Sequence, residues 1–247
     1  MNTRIVKNEG LNPKQKKIIT IAAFTANDGL PKLKTALGEG LDAGLTVNAI
    51  KEVLVQMYAY CGFPRSLNAM HAFMDVLEER KRRGIQDEPG KEAGPLPVGM
   101  NKDEYGAKVR AALAGQEFIP APNGYQLFAP VIDEFLKEHL FADIFARDVL
   151  DYQERELATI SALAAMKGTR GQLQFHIGAA MNTGLTETQM ADFISVLKSE
   201  VGRQAAETAS EILAAVLSAR QAPRGDAPRT GVQTAKKQEE SEDGGSS

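Results

Sequence analysis

Residues 151–186 read DYQERELATISALAAMKGTRGQLQFHIGAAMNTGLT, and residues 12–46 read NPKQKKIITIAAFTANDGLPKLKTALGEGLDAGLT. Both stretches end on a Gly-Leu-Thr turn, and both have a glycine near the middle, at positions 29 and 168. The offset between them grows from 139 to 140 near Arg170, as expected for one residue inserted in a loop. The block from residue 11 to about residue 80 therefore recurs at 150 to 220, and the chain is an internal duplication.

Both copies carry the signals of consecutive helices. Asn12 and Asp151 precede helically spaced apolar residues, and a Gln or Glu three positions later completes a capping box. Gly29 and Gly168 are expected to end these first helices in a positive-φ conformation. The threonine of each Gly-Leu-Thr turn caps a later helix, and Gly62 with Pro64 breaks and restarts the chain's next long helix. No segment alternates as strands do, so the sequence predicts an all-α duplicated fold.

Three segments lie outside the matching blocks. Residues 84–124 contain two stretches rich in Gly, Pro or charge and predict a linker between a first repeat at 1–83 and a second at 125–220. The second repeat begins with an amphipathic helical stretch, around 131–145, that the first repeat lacks. Residues 221–247 lack periodicity and predict a disordered tail.

Composition excludes several classes of function. The 247 residues are 43% hydrophobic and 25% charged, which is ordinary for a globular protein, and the net charge of -3 gives no support to a nucleic-acid groove. No apolar run approaches the roughly 20 residues that span a bilayer, and we expect a cytoplasmic protein. A lone cysteine excludes an internal disulfide, and three histidines leave little material for a metal site.

The differences between the copies identify candidate catalytic residues. His176 lies at the edge of an apolar helical stripe, and its counterpart in the first copy is Ala36. An imidazole in this position can act as an acid or base, although it can equally be a packing histidine that bonds a backbone carbonyl. Arg155 and Glu156 begin the second copy, where the simpler interpretation is a solvated first turn.

The first copy has its own distinctive run, Tyr60-Cys61-Gly62-Phe63-Pro64. It places Cys61 at a helix end and Arg65 at a helix beginning, where free N–H groups and a guanidinium could bind a carboxylate. The alternative is a tight interhelical turn with a buried structural thiol.

These motifs resemble the carboxymuconolactone decarboxylase family, whose relatives include the alkylhydroperoxidase D-type proteins. The resemblance covers both copies, and the matching stretches are residues 154–160, 172–176, 184–186, 44–46, 51–54 and 60–64, with Asn68 and Ala69. It implies an orthogonal helical bundle that assembles as trimers or hexamers, and for a fused chain a trimer. It also implies a small lactone bearing a carboxylate as substrate, and no metal or organic cofactor.

The resemblance also suggests roles for particular residues. Arg155 would be the carboxylate anchor or oxyanion donor, and His176 the acid or base. The remaining predicted pocket residues are Tyr60, Asn68 and His71, with Arg65 nearby and Glu52 as a possible orienting group.

Two alternatives to a decarboxylase stay open. Pro64 stands three positions after Cys61, so a two-cysteine disulfide cycle is excluded within one chain, but a peroxidase that uses Cys61 with an external thiol is not. The other alternative is a non-catalytic helical scaffold in which the duplication serves assembly.

Overall fold

The computed structural model describes residues 9–96 and 98–222, and every regular element within those ranges is a helix. The first repeat forms α1 (Pro13–Ala26), α2 (Leu30–Asp42) and α3 (Val47–Arg82). The middle of the chain forms α4 (Lys102–Leu113), α5 (Tyr125–Phe128), α6 (Pro130–Phe135) and a π-helical segment at Leu136–Ile144. The second repeat forms α7 (Tyr152–Ala165), α8 (Arg170–Asn182), α9 (Glu187–Val196), a short π-helical segment at Leu197–Val201, and α10 (Arg203–Gln221).

The two repeats share one hydrophobic core. Helices α1 and α7 pack against each other more extensively than any other pair of elements, and they run through the centre of the molecule. Most of their apolar side chains are completely buried, among them Ile18, Ile21, Leu157 and Ile160. Burial of each such side chain stabilises the fold by about 1.5–3 kcal/mol before entropy is counted, so neither repeat can be separated from its copy without exposing a large apolar face.

The helix ends confirm the predicted caps. The side chains of Asn12 and Asp151 accept hydrogen bonds from the backbone N–H three residues later, and both capping boxes are complete. Thr186 also forms a full capping box, whereas Thr46 accepts only the hydrogen bond from Ala49. Each such cap contributes about 1 kcal/mol, which fixes where the paired helices of the two repeats begin.

One predicted turn was wrong. Gly29 has a φ of -81° and stands directly before α2, and the positive φ falls on Asp28, at 61°. Asp is one of the few side chains that tolerate this conformation, and Asn27 supports the turn by accepting a hydrogen bond from the backbone N–H of Gly29. In the second copy the glycine prediction is confirmed, because Gly168 has a φ of 81°.

The predicted break in the long helix is present. Gly62 has φ 83° and ψ 157°, so α3 consists of two helical halves, and the second half contains Pro64 near its start. The corresponding Gly202 separates the short π-helical segment from α10. The break lets Tyr60 and Cys61 end the first half of α3 against the core, while the residues after it begin a new helix.

The predicted linker contains a helix, which was not expected there. Helix α4 lies within residues 84–124 and packs along the π-helical segment Leu136–Ile144, which follows α6. Together they form a second, smaller core whose buried members are Val109, Leu113, Leu140, Phe141, Ile144, Phe145 and Ala179. This second layer covers one side of the duplicated bundle and supplies a wall of the cavity described below.

Two further predictions meet the limits of the described chain. The predicted disordered tail lies outside the described residues apart from positions 221 and 222. Among the described helices, none has both the length and the apolar character needed to cross a bilayer.

Candidate active site

A histidine and a glutamate form a buried pair between α7 and α8. The Nδ1 atom of His176 lies 2.8 Å from Oε2 of Glu156, and the two residues are 6% and 0% exposed. The solvated first turn considered for Glu156 is therefore wrong, and the ring bonds a carboxylate rather than a backbone carbonyl. An ionised carboxylate only accepts hydrogen bonds, so Nδ1 carries the proton and Nε2 is left for a ligand. No hydrogen bond from the described residues reaches Nε2.

Tyr60 comes from the other repeat and packs edge-on against the imidazole. The ring centroids of Tyr60 and His176 are 5.6 Å apart at an interplanar angle of 80°. The Tyr60 hydroxyl lies near Thr159, whose own hydroxyl already accepts from Gln56, and it has no well-formed hydrogen bond within the described chain. Burial, and after it the charge of Glu156, raise the pKa of Tyr60, so the phenol stays neutral beside the pair. The site is thus shared between the two repeats.

His176 and Tyr60 line a cavity of about 810 Å³. This is large enough for a small organic ligand. Its apolar wall includes Leu136, Leu140, Phe141, Leu163 and Phe175, and its polar lining includes Thr169, Gln172 and Arg110. Gln172 precedes His176 by one helical turn on α8, so both side chains lie on the same face of that helix.

Arg155 and Glu52 form an ion pair with each other, and neither lines the cavity. Arg155 is completely buried, and its guanidinium donates to Glu52 Oε1 at 3.0 Å, to Gln56 Oε1 at 2.8 Å and to the carbonyl of Arg147 at 2.5 Å. Burial lowers the pKa of Arg155, and the contact with Glu52 opposes that effect. Glu52 therefore orients an arginine, and Arg155 fastens the second repeat to the first without lining the cavity.

The other predicted binding residues on α3 lie on the surface. Arg65, Asn68 and His71 follow the break at Gly62 and are all exposed. The polar contact that the structure gives Arg65 is with Met166 Sδ, at 3.9 Å. None of the three lines the cavity, so the carboxylate-binding site predicted at Arg65 is not next to His176.

Cys61 is a half-buried thiol that faces its own helix. Its Sγ donates to the carbonyl of Met57 at 3.1 Å, and the residue does not line the cavity. Burial raises the pKa of Cys61 to about 11, despite the opposing charge of Arg65. Because the thiolate is the reactive form, this environment keeps the thiol unreactive near neutral pH.

The pseudo-symmetric position in the molecule holds an ion cluster instead of this site. The corresponding residues are Lys17, Ala36 and Glu200, in place of Glu156, His176 and Tyr60. Lys17 Nζ lies 2.7 Å from Glu39 and 3.2 Å from Glu200, so the twin position contains salt bridges and no imidazole. All three positions differ together, and this joint change was the signal in the sequence that could have identified Glu156.

Within residues 9–96 and 98–222, no group of three or more His, Cys, Asp or Glu side chains is arranged to bind a metal ion. The chemistry that the site can support with its own groups is proton transfer by His176, held in one tautomer by Glu156. Gln172 and Arg110 add hydrogen-bond donors on the cavity lining.

A comparison with curated proteins found no match. The profile of the Carboxymuconolactone decarboxylase family matches residues 1–75 and 130–221. These two segments contain Tyr60, Glu156 and His176, and the interval between them contains α4 and α5. The match covers both copies of the duplicated unit and more than half of the chain, and the protein therefore belongs to the Carboxymuconolactone decarboxylase family.

Proposed function

We propose that the protein is a carboxy-lyase that works without a cofactor on a small carboxylated lactone such as 4-carboxymuconolactone, with His176 as its general acid and base. The observation that carries this proposal is the His176–Glu156 pair, which is buried on one side and opens through the imidazole onto an 810 Å³ cavity. Membership of the family supports the reaction class, and the cavity supports a small-molecule substrate.

The reaction needs few groups. When the bond between the lactone ring and its carboxylate breaks, CO2 leaves and the electron pair delocalises into the lactone carbonyl as an enolate. The protein must then stabilise the enolate oxygen and deliver a proton to carbon. His176 in its imidazolium form can give that proton from Nε2 and become neutral, and water restores the proton afterwards.

The surroundings of the imidazole suit this role. The carboxylate of Glu156 stabilises the imidazolium and fixes the ring, in the way that a carboxylate orients histidine in other proton-transfer sites. Tyr60 packs against the ring as a neutral phenol and restricts its rotation. Gln172 is the amide donor that shares the cavity with His176, and we assign it to the enolate oxygen.

The geometry favours the two alternatives less. A peroxidase would need Cys61 as a thiolate in an open site, whereas burial raises its pKa to about 11 and the residue lies outside the cavity. A scaffold would fill the space beside His176 with side chains, and that space is a cavity. Arg155 is assigned to the interface between the repeats, where it contacts Glu52 and Gln56.

The test is turnover of 4-carboxymuconolactone, measured as release of CO2. His176→Gln keeps a donor for Glu156, and we expect it to lower kcat at least about 100-fold while the melting temperature changes by no more than a few degrees. His71→Ala removes an exposed histidine and should leave both values unchanged. Added imidazole should restore part of the rate to His176→Ala.

Two results would contradict the proposal. One is a wild-type protein that releases no CO2 from the lactone, and the other is a His176→Gln variant that turns over at the wild-type rate. Peroxide consumption that Cys61→Ser alone removes would favour the peroxidase instead. If His176→Gln lowers kcat and also lowers the melting temperature by many degrees, and if imidazole does not restore activity to His176→Ala, the role of His176 is packing.

A further inference from the structure

An arginine from outside the family-matched segments reaches the same cavity. Arg110 lies on α4, within the predicted linker, and lines the cavity together with His176 and Tyr60. Its side chain is 16% exposed, and Nη1 donates to Oδ1 of Asp133 at 2.5 Å. A guanidinium that is largely withdrawn from water on the wall of an apolar cavity is a strong potential site for an anion.

Asp133 fixes the position of this guanidinium. The carboxylate belongs to α6, is 8% exposed, and also accepts from Gln126 Nε2 at 2.9 Å, while Lys137 Nζ lies 3.5 Å away. Burial alone would raise the pKa of Asp133, but the hydrogen bonds from Arg110 and Gln126 outweigh it and hold the pKa below its ordinary value. The carboxylate is therefore ionised, and Arg110 is held in place before any ligand arrives.

The contact with Asp133 leaves half of the guanidinium free. Arginine has five N–H donors on two edges, and within the described chain only Nη1 of Arg110 makes a hydrogen bond. The edge formed by Nε and Nη2 remains open, and neither atom is sealed from solvent. That edge matches the two oxygens of a carboxylate, which it can bind through two parallel hydrogen bonds.

The neighbouring charges leave Arg110 only partly neutralised. Asp133 interacts with Lys137 as well as with Arg110, and Lys137 also contacts Asp103. The cavity lining from α5 to the start of the π-helical segment consists of Tyr125, Ile132 and Leu136, none of which is charged. The carbonyl oxygen of a neutral ester can accept one hydrogen bond from the free edge but leaves the positive charge uncompensated, whereas a carboxylate pairs both donors and balances the charge.

A carboxylate bound at Arg110 would not be the one that leaves as CO2. An ion pair to the departing carboxylate would stabilise the substrate more than the transition state, because the charge moves into the ring as CO2 forms, and would slow the reaction. An anchor is useful only for a charge that the reaction retains. The arrangement therefore suits a lactone with a second carboxylate that stays on the product.

We propose that Arg110 binds the retained carboxylate of the substrate and makes the cavity select anionic lactones over neutral ones. This inference rests on the proposed function for the identity of the reacting lactone, but it concerns binding and can be measured without turnover. Among residues 9–96 and 98–222, helix α4 has no counterpart in the first repeat, so within these ranges the anchor is present on the side that retains His176 and not on the other.

The experiment compares two stable probes, (5-oxooxolan-2-yl)acetate and its methyl ester, by calorimetric titration of the intact protein. We expect the wild-type protein to bind the acid at least about tenfold more tightly than the ester. Arg110→Gln should weaken binding of the acid about tenfold or more and change binding of the ester less than twofold. Arg65→Gln, which changes an exposed arginine, should keep the wild-type preference.

Arg110→Gln leaves the buried carboxylate of Asp133 without its guanidinium partner, which can destabilise the protein. A second variant controls for this effect. Arg110→Gln with Asp133→Asn removes both charges and should lose the same preference for the acid. Equal binding of the two probes by the wild-type protein, or an unchanged preference in both variants, would overturn the proposal, and so would a preference that depends on Arg65. A preference that depends on Arg110, in a protein that releases no CO2 from 4-carboxymuconolactone, would overturn the decarboxylase and leave the anchor standing.

Discussion

Glu156 gives the imidazole of His176 a defined tautomer at a considerable energetic cost. Its Oε1 atom is buried and accepts no hydrogen bond from the described residues, and an unpaired buried polar atom costs about 1–3 kcal/mol. A fold selected only for stability would replace such a pair with apolar side chains of similar size. At the twin position Lys17 instead meets two carboxylates near the surface, and none of their charged atoms is both buried and unpaired.

The thiol of Cys61 should behave as a buried group. Burial raises its pKa to about 11, so iodoacetamide at pH 8 should modify the folded protein far more slowly than the urea-unfolded chain. The rate should rise as pH approaches 11. Because the thiol ionises at lower pH in the unfolded chain, its contribution to stability is complete below about pH 9 and is lost as pH rises toward 11.

Mass spectrometry of the modified fraction over time checks this expectation, and Cys61→Ser serves as the control for modification at other residues. A folded protein that reacts as fast as the unfolded chain, with a midpoint near 8.5, would show an accessible, ordinary thiol and would reopen the peroxidase hypothesis.

Comparison of the two copies identified His176, but the sequence could not show how the polar groups pair. His176 and Tyr60 were predicted together, and the structure places their rings in contact. The roles of Glu52 and Arg155 depended on the direction of buried side chains, and their mutual ion pair gives no periodic signal. Arg110 was missed because its helix lies outside both copies.

At the level of elements, the helices with strong end signals were predictable. Capping residues at Asn12 and Asp151 and the break at Gly62 are local features, so the sequence alone specifies them. Helix α4 has a comparable end signal, since the side chain of Asn101 caps it and accepts from the backbone N–H of Glu104. What it lacks is a strong apolar stripe, because its buried residues are mostly small and include Gly106. Its stability comes from packing on the segment Leu136–Ile144, which only the tertiary structure supplies.

At Gly106, α4 lies directly against the backbone of that segment. A Cβ at this position would overlap the backbone carbonyl of Lys137, and backbone atoms cannot move aside as a flexible side chain can. We expect Gly106→Ala to push α4 outward, to lower the stability by about 1–3 kcal/mol, and to weaken binding of (5-oxooxolan-2-yl)acetate because Arg110 lies one turn further along.

Thermal melting and calorimetric titration measure the two effects. Gly38→Ala is the matched control, since Gly38 is also helical and a Cβ there meets nothing within 4 Å, so the alanine should be neutral or slightly stabilising. If Gly106→Ala melts at or above the wild-type temperature, the close packing of α4 does not determine the position of the cavity wall.

On the scale of the whole molecule, the two repeats have the same helical architecture but different polar groups at equivalent positions. The ion pair between Arg155 and Glu52 has a counterpart in Lys16 and Asp192, whose charged atoms lie 3.8 Å apart. Contacts that join the repeats are thus present on both sides of the interface. In the described chain, the His176–Glu156 pair and α4 lie beside the same cavity, and the equivalent position in the other half has neither. The two positions can therefore differ in function.

The added layer also exposes an apolar face. Four large side chains on α5 and α6 are exposed and do not line the cavity, and we propose that a second copy of the chain covers them: Leu127, Phe128, Val131 and Phe135, which are 54–91% exposed. Four large exposed apolar side chains within nine residues are a common mark of a protein–protein contact. We propose that three copies assemble in this way, so light scattering after gel filtration should give about 80 kDa, three times the 26.7 kDa of one chain.

Charge placed on this face should dissociate the assembly. We expect Phe128→Glu combined with Val131→Glu to shift the measured mass toward a single chain without unfolding it, because neither side chain belongs to the core. Met74→Glu changes an equally exposed apolar residue on α3 and should leave the mass unchanged. A wild-type protein that is monomeric at every concentration, or a double variant that keeps the wild-type mass, would show that α5 and α6 do not form the contact between copies.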